Sequence, residues 1–298
     1  MAADAPHPGF EPYVDEAVPQ AAPGAPGKDG RLELAFERVG GETRLVRDFA
    51  RAPFHVSGTL DTDPLAEAAT VSVQSPTGGI AQGDRRTVEV SVGPDAVARV
   101  GTGSATKVYS MRHNYARVET SLSVDDGGHL EYLPEPTIIH ADARLYRSTA
   151  LKVVPSATAV VGDVLVPGRL ARGERLAFER FVDETLIRGG DRLLAADALH
   201  LEPDARDPRV PGVLGDGVVL GTLFVIAPAA ETAALSDALH EAVADTDGVA
   251  AGATALPNDA GVLVRILGEA AEPVRVARRD GWRAARAELL DASIPGRV

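Results

Sequence analysis

From Arg31 onward the chain is written in short runs of period two, and that alternation limits its fold more than any other feature. RLELAFERV (31–39) sets Leu32, Leu34 and Phe36 against Glu33, Ala35 and Glu37. RTVEVSV (86–92) sets Val88, Val90 and Val92 against Thr87, Glu89 and Ser91; ARVETSLSV (116–124) sets Val118, Leu122 and Val124, with Thr120, against Glu119, Ser121 and Ser123. Successive side chains of a strand point to opposite faces, so each run predicts a half-buried strand of a largely antiparallel sheet. TVSVQ (70–74), ATKVYSM (105–111), HLEYL (129–133), ALKVV (150–154), LAFERFVDETLI (176–187), VVLGTLFVI (218–226) and GVLVRIL (261–267) extend the set, with DDGG (125–128) and RGGD (188–191) as turns. Two segments carry helical spacing instead. ETAALSDALHEAVADT (231–246) places residues 235, 239 and 243 on one face, and EPVRVARRDGWRAARAELLDA (272–292) aligns Trp282, Ala285 and Leu289. A mainly β chain finished by two helices is expected, without the sequence repeat of a repeat solenoid or propeller.

The first thirty residues break this pattern. Prolines at 6, 8, 12, 19, 23 and 26, amid alanine, glycine and acids, predict a disordered arm over 1–30 ahead of a single β domain over 31–298. The arm lacks the basic start and apolar run of a secretory signal, and no window has the apolar length of a membrane span, so a soluble cytoplasmic protein is expected. With 43 acidic against 30 basic residues the formal charge is −13, which repels phosphate backbones and anionic lipid and argues against nucleic-acid or membrane partners. The chain has no cysteine, which removes disulfides, thiolate nucleophiles and cysteine-based metal sites.

Templates for chemistry find little. SPTGGIAQGD (75–84) is rich enough in glycine to suggest a phosphate loop, but it lacks a Gly-Lys-Ser/Thr ending and is followed by the strand-like RRTVEVSV. A strand-loop-strand connection fits better. The histidines at 7, 55, 113, 129, 140, 200 and 240 form no HxH or HExxH, and no GxSxG nucleophile elbow occurs. A β-sandwich module binding a carbohydrate or other small ligand is one alternative, though five tyrosines and one tryptophan make an aromatic platform hard to assemble. A cupin-type metal enzyme is another, disfavoured by the missing HxH.

SPTGGIAQGDR (75–85), TGSATKVYS (102–110), LEYLPEPTI (130–138), GRLARGE (168–174) and GGDRLLAADAL (189–199) stand in the order and spacing of the urease accessory protein UreD family, called UreH in some organisms, and the chain resembles that family over roughly residues 31 to 292. The N-terminal arm and the loop DARDPRVPGVLGDG (204–217) depart from it. The resemblance implies a mainly β fold of strands coiled into a helix-like stack of sheets with two helices. It further implies a chaperone-like scaffold without catalysis of its own. Such a scaffold binds apo-urease and, with UreF and the GTPase UreG, helps deliver nickel to the buried urease centre through an internal tunnel. Two copies in a two-fold complex with UreF, and no tightly bound cofactor beyond transient Ni²⁺, are expected on the same ground.

Within the matched motifs, Asp84 is either a turn cap or a group lining a water-filled passage. Lys107 either pairs with a buried acid or lies exposed at a strand edge. Glu131 and Glu135 bracket a segment stiffened by Pro134 and Pro136, and His140 and Asp142 share a strand face if that strand continues. These four are the candidate transient nickel path, since imidazole and carboxylate both suit Ni²⁺; the alternative for His140 and Asp142 is an ordinary surface loop. Arg169, Arg172 and Glu174 read as structural ion pairs. Arg275, Arg278, Arg279, Arg283 and Arg286 give the last helix a basic face that either docks an acidic partner or is simply solvated.

Overall fold

The computed structural model describes residues 6–18, 28–76 and 78–295. Its strands form two facing sheets. The first runs in the order β14 (Arg192–Leu201), β13 (Arg180–Gly189), β11 (Arg144–Val153), β8 (Ala116–Val124), β5 (Arg85–Val92), β1 (Asp29–Val39) and β2 (Glu42–Arg51). The second runs β16 (Val249–Ala255), β17 (Gly261–Gly268), β15 (Val219–Ile226), β12 (Thr158–Val166), β9 (His129–Leu133), β6 (Val97–Thr102), β4 (Ala68–Gln74) and β3 (His55–Leu60). The short strands β7 (Thr106–Val108) and β10 (Thr137–Ile139) pair with each other beside β12. Between β4 and β13 the chain passes back and forth from one sheet to the other, so it advances as a coil.

The mainly β coil with two helices near the C-terminus is as expected; the strand direction is not. The central pairs β1–β5, β5–β8, β8–β11 and β11–β13, and likewise β4–β6, β6–β9 and β9–β12, are parallel. Antiparallel pairing is confined to the ends of the stack, in β1–β2, β3–β4, β13–β14 and the run β12–β15–β17–β16. Strict alternation normally marks antiparallel sheets because parallel strands usually have helices on both faces. Here the opposite sheet replaces the crossover helix, so a parallel strand keeps one wet face and its alternating pattern. Partners in the first sheet lie at Val90, Leu122, Leu151 and Ile187, and in the second at Val71, Val100, Tyr132 and Val161. The spacing therefore varies from 29 to 36 residues, which hides the structural repeat from a search at fixed period.

Inward residues of the two sheets, among them Leu34, Val90, Leu122, Leu151 and Ile187 against Val71, Val100, Leu130, Ala159 and Phe224, form the main core. Burying each such side chain contributes roughly 1.5–3 kcal/mol. The helices α1 (Thr232–Ala244) and α2 (Ala271–Leu290) cover β12, β15 and β17, burying Leu235, Leu239 and Val243 of α1 and Val274, Ala277 and Ala285 of α2.

The expected disordered arm needs correcting where it is described. Pro8–Tyr13 is a turn of 3-10 helix with proline at its start, and Phe10, 0% exposed, packs against Tyr115, Tyr146 and Val182. Tyr13 Oη donates to Glu179 at 2.7 Å, and the Glu16 carboxylate accepts from the Asn114 backbone at 2.6 Å and pairs with Arg144 at 3.0 Å. Two aromatic rings supply the burial that average composition concealed, and the prolines restrict φ to values the turn already uses. Residues 1–5 and 19–27 of the arm lie outside the described residues.

Candidate functional site: a cavity between the sheets

Parallel register converts one position on a strand into a stripe across the sheet. Val90, Leu122, Leu151 and Ile187 are lateral partners and belong to the core. Two residues earlier on each strand the ladder reads Val88, Thr120, Thr149, Thr185, and two earlier again Arg86, Val118, Arg147, Asp183. These inward residues of the first sheet face Asp163, Thr222 and Arg265 of the second, themselves successive partners on β12, β15 and β17. The C-terminal halves of the inner strands thus pack the core while the N-terminal halves line an open cavity between the sheets, called the channel below. Its volume is about 160 Å³.

Charge within the channel centres on Arg147. The Arg147 guanidinium grips Asp183 bidentately at 2.8 and 2.6 Å and Asp163 at 2.6 Å, over the Phe181 ring. Burial alone would lower the Arg147 pKa, but the two aspartates outweigh it and hold the group protonated well above its ordinary value. Its direct ion pairs set one guanidinium against two carboxylates, and Arg278 of α2 lies close enough to act on Asp163, so two cations face two carboxylates. Arg265, which pairs with Asp197 and donates to Thr222 Oγ1 at 2.7 Å, adds no net charge.

The glycine loop forms the mouth. A second cavity, about 170 Å³, is lined by Ser75, Gly78, Gly79, Lys107 and Tyr109, and it shares Phe54, Val73, Arg86, Thr102 and Thr106 with the channel. Gly79 is required by close approach, since a Cβ there would stand 2.1 Å from the Lys107 carbonyl oxygen; the neighbouring Ile80 N–H donates to that oxygen at 2.7 Å. Asp84, 0% exposed, accepts from the backbone of Lys28 at 3.2 Å and of Ala81 at 3.1 Å and pairs with Arg86 at 2.9 Å, while Arg86 donates to the Gly79 carbonyl at 2.6 Å. Asp84 is therefore the turn cap of its two readings, and strand β5 follows it as expected.

The four nickel-path candidates are not brought together. Glu131, 1% exposed, accepts from Trp282 Nε1 at 2.8 Å and Arg286 at 2.9 Å through its two oxygens, with His129 Nε2 at 3.6 Å. Arg286 also binds Asp63, and Arg99 lies close enough to act on both carboxylates. Burial pushes the Glu131 carboxyl up, but hydrogen bonding and charge from His129, with Arg286 and Trp282, together hold it below its ordinary value. Glu135 pairs with Arg275 at 3.1 Å. Strand β10 stops at Ile139, so His140 and Asp142 do not share a strand face: Asp142 sits in a turn at φ 57° and is exposed. His140 packs edge-on to Tyr109 of the mouth, with ring centroids 5.4 Å apart, and burial, helped by Arg169, pushes its pKa down. None of the four lines the channel.

Among the structural candidates, Lys107 is exposed on edge strand β7. Arg169 and Glu174 form an ion pair, and Glu174 also accepts from the Ala141 backbone at 3.1 Å. The basic face of α2 is largely consumed internally. Arg286 is buried, Arg278 donates to the Pro134 carbonyl at 2.8 Å and Arg275 pairs with Glu135 and Glu272. Arg283 is exposed and pairs with Asp280, and Arg279 is half-buried. Sequence reasoning missed Arg147, Asp163, Asp183, Asp197 and Arg265. The available signal was a charged or hydroxyl residue on the apolar parity of successive strands.

The fold is a two-sheet β coil enclosing a cavity, capped by two helices. The family model for the UreD urease accessory protein matches residues 28–298. Urease accessory protein UreD of Haloarcula marismortui is 59% identical over 295 residues, covering 99% of this chain and 98% of the relative. That of Natronomonas pharaonis is 46% identical over 287 residues, 96% of each. Urease accessory protein UreD 2 of Streptomyces griseus is 39% identical over 263 residues, 86% of this chain and 88% of the relative. The chain belongs to the UreD family of urease accessory proteins, and its role lies in urease maturation. None of its helices, among the described residues, is long and apolar enough to cross a membrane.

Proposed function

We propose that this chain is a non-catalytic cytoplasmic scaffold that binds apo-urease and, with UreF and the GTPase UreG, brings nickel to the urease centre, the ion crossing the chain through the channel between the sheets. The observation that carries this reading is the pair of carboxylates, Asp163 and Asp183, that face the passage on one directly paired guanidinium, in a lining that also holds threonines, apolar side chains, Arg86 and the Arg265–Asp197 pair. Carboxylates already engaged by guanidinium groups attract a hydrated divalent cation weakly and supply no closed ligand set, which suits passage better than storage. His140, beside the mouth and favoured in its neutral form, is the one of the original four candidates positioned to meet an ion there. The copy number follows the family resemblance, two in a two-fold assembly with UreF. No tightly bound cofactor is needed.

Asp163→Asn tests the route, because Arg147 stays paired with Asp183 while one of the two carboxylates facing the passage loses its charge. The expected result is an accessory complex recovered at the wild-type level and urease that acquires nickel more slowly. Nickel loading at the wild-type rate through an intact complex overturns the channel reading.

A further inference from the structure

Outside the channel, His7, Glu184 and His200 bring one ligand atom each within 4.8 Å of one another. Glu184 lies on β13 beside inward-facing Asp183, so it points to the outer face; His200 on β14 is the register partner of Val182 and shares that face. The third residue comes from the N-terminal segment, ahead of the stretch that matches the family model. His7 Nε2 stands 3.6 Å and His200 Nε2 3.9 Å from the same oxygen, Glu184 Oε1. The other oxygen accepts from Tyr146 Oη at 2.9 Å, and the His7 ring stacks on Tyr146 with centroids 5.1 Å apart. The carboxylate is thus oriented from behind, the arrangement that holds a metal ligand in place.

We propose that His7, Glu184 and His200 form a divalent-metal site for a first-row ion of the Ni²⁺ or Zn²⁺ class, which ties residues 6–18 to the outer face of β13 and β14. Two imidazoles and one carboxylate suit these ions and not Mg²⁺, which prefers oxygen ligands and retained water. Ligand atoms on one ion at ~2.1 Å stand roughly 3–3.4 Å apart, so the trio closes by side-chain movements of about 1 Å. The Gly9 N–H donates to His7 Nδ1 at 3.1 Å, which puts the proton of neutral His7 on Nε2, facing Glu184. Coordination through Nε2 moves that proton to Nδ1 and gives up the Gly9 bond. Binding therefore exchanges the Gly9 contact for the metal bond.

The test is calorimetric titration of the purified full-length chain with Ni²⁺ and, separately, Zn²⁺, with Mg²⁺ as control. His200→Ala removes an exposed ligand without touching the packing of Phe10, and His7→Gln removes the one from the segment. Each should weaken one site at least about tenfold, while Asp163→Asn leaves that site unchanged. Proteolysis supplies a readout independent of affinity: the ion should slow cleavage within residues 6–18 in the wild type and not in His200→Ala. Metal binding and protection that survive both His200→Ala and Glu184→Gln, or no binding of either ion by the wild type at millimolar concentration, overturn the proposal.

Discussion

Replacing Arg286 by methionine removes the central cation of a buried charge cluster. Arg286 is 1% exposed, and its guanidinium is shared between Glu131 at 2.9 Å and Asp63. Arg286→Met preserves most of the volume but leaves two buried carboxylates facing only Arg99, Trp282 and His129. Removing one partner of a buried pair costs about 3–5 kcal/mol, because the remaining charge stays desolvated. That is a large share of the ~5–15 kcal/mol that stabilises a folded chain, and for a domain of this size it corresponds to a melting temperature lower by roughly 6–10 °C. The assay is urea unfolding followed by the fluorescence of Trp282, the chain's one tryptophan, whose indole donates to Glu131. The pH dependence has a definite sign. Folded Glu131 titrates below its ordinary value of 4.5, so its contribution is present above that pH and is lost as pH falls through the folded value. The gap between wild type and Arg286→Met should narrow in that window. Glu131→Gln combined with Arg286→Met should recover part of the loss. A single variant within 1 kcal/mol of wild type at pH 7, or a double variant worse than both singles added, would refute the role given to the pair.

Phe10→Ala should strip the docked N-terminal segment of its anchor, at up to about 3–5 kcal/mol of docking and packing energy, read as faster proteolysis within residues 6–18; an unchanged cleavage rate would show that Tyr13 and Glu16 hold the segment without the ring. Gly79→Ala should force the mouth loop away from Lys107 at about 1–3 kcal/mol, measured as a lower unfolding midpoint and faster amide exchange at Ile80; a midpoint equal to wild type would mean the loop has room to shift.

How much of this was legible depended on whether the signal lay within one strand. The inward parity of β1, β5 and β8 could be read residue by residue, and β9 falls on HLEYL as expected. β12 and β14 were missed because both faces of TAVVGDVLV carry apolar residues and RLLAADALHL has the alanine-rich look of a helix. The channel was not legible at all from single strands. Thr120 stands beside Ser121 and Thr149 beside Ser148, so neither is conspicuous within its own strand. Only a parallel register joining positions 29 residues apart makes them adjacent. The N-terminal segment failed for a related reason, since composition averages over thirty residues what two aromatic rings decide locally.

Facing the channel, more than burial, separates the carboxylates able to act on a passing cation from those that hold the fold. Glu131 and Asp63 face Arg286 and Arg99, two against two, and the cluster is closed. Asp197 faces Arg265 and Asp84 faces Arg86, one against one in each case. Asp163 and Asp183 share the directly paired guanidinium of Arg147, and Arg278 acts on Asp163 as Arg99 does on Glu131 and Asp63. At an effective dielectric near 20 two unit charges 4 Å apart interact by roughly 4 kcal/mol, and a divalent ion with one carboxylate by about twice that, which the guanidinium groups oppose. Arg147 and Arg278 therefore set the depth of the well together. Without Arg147, the two aspartates would repel each other and hold an arriving ion. The family's buried acids cannot be ranked by residue type, since aspartates occur in both roles here, and the ranking follows from what each one faces and which guanidinium it must share.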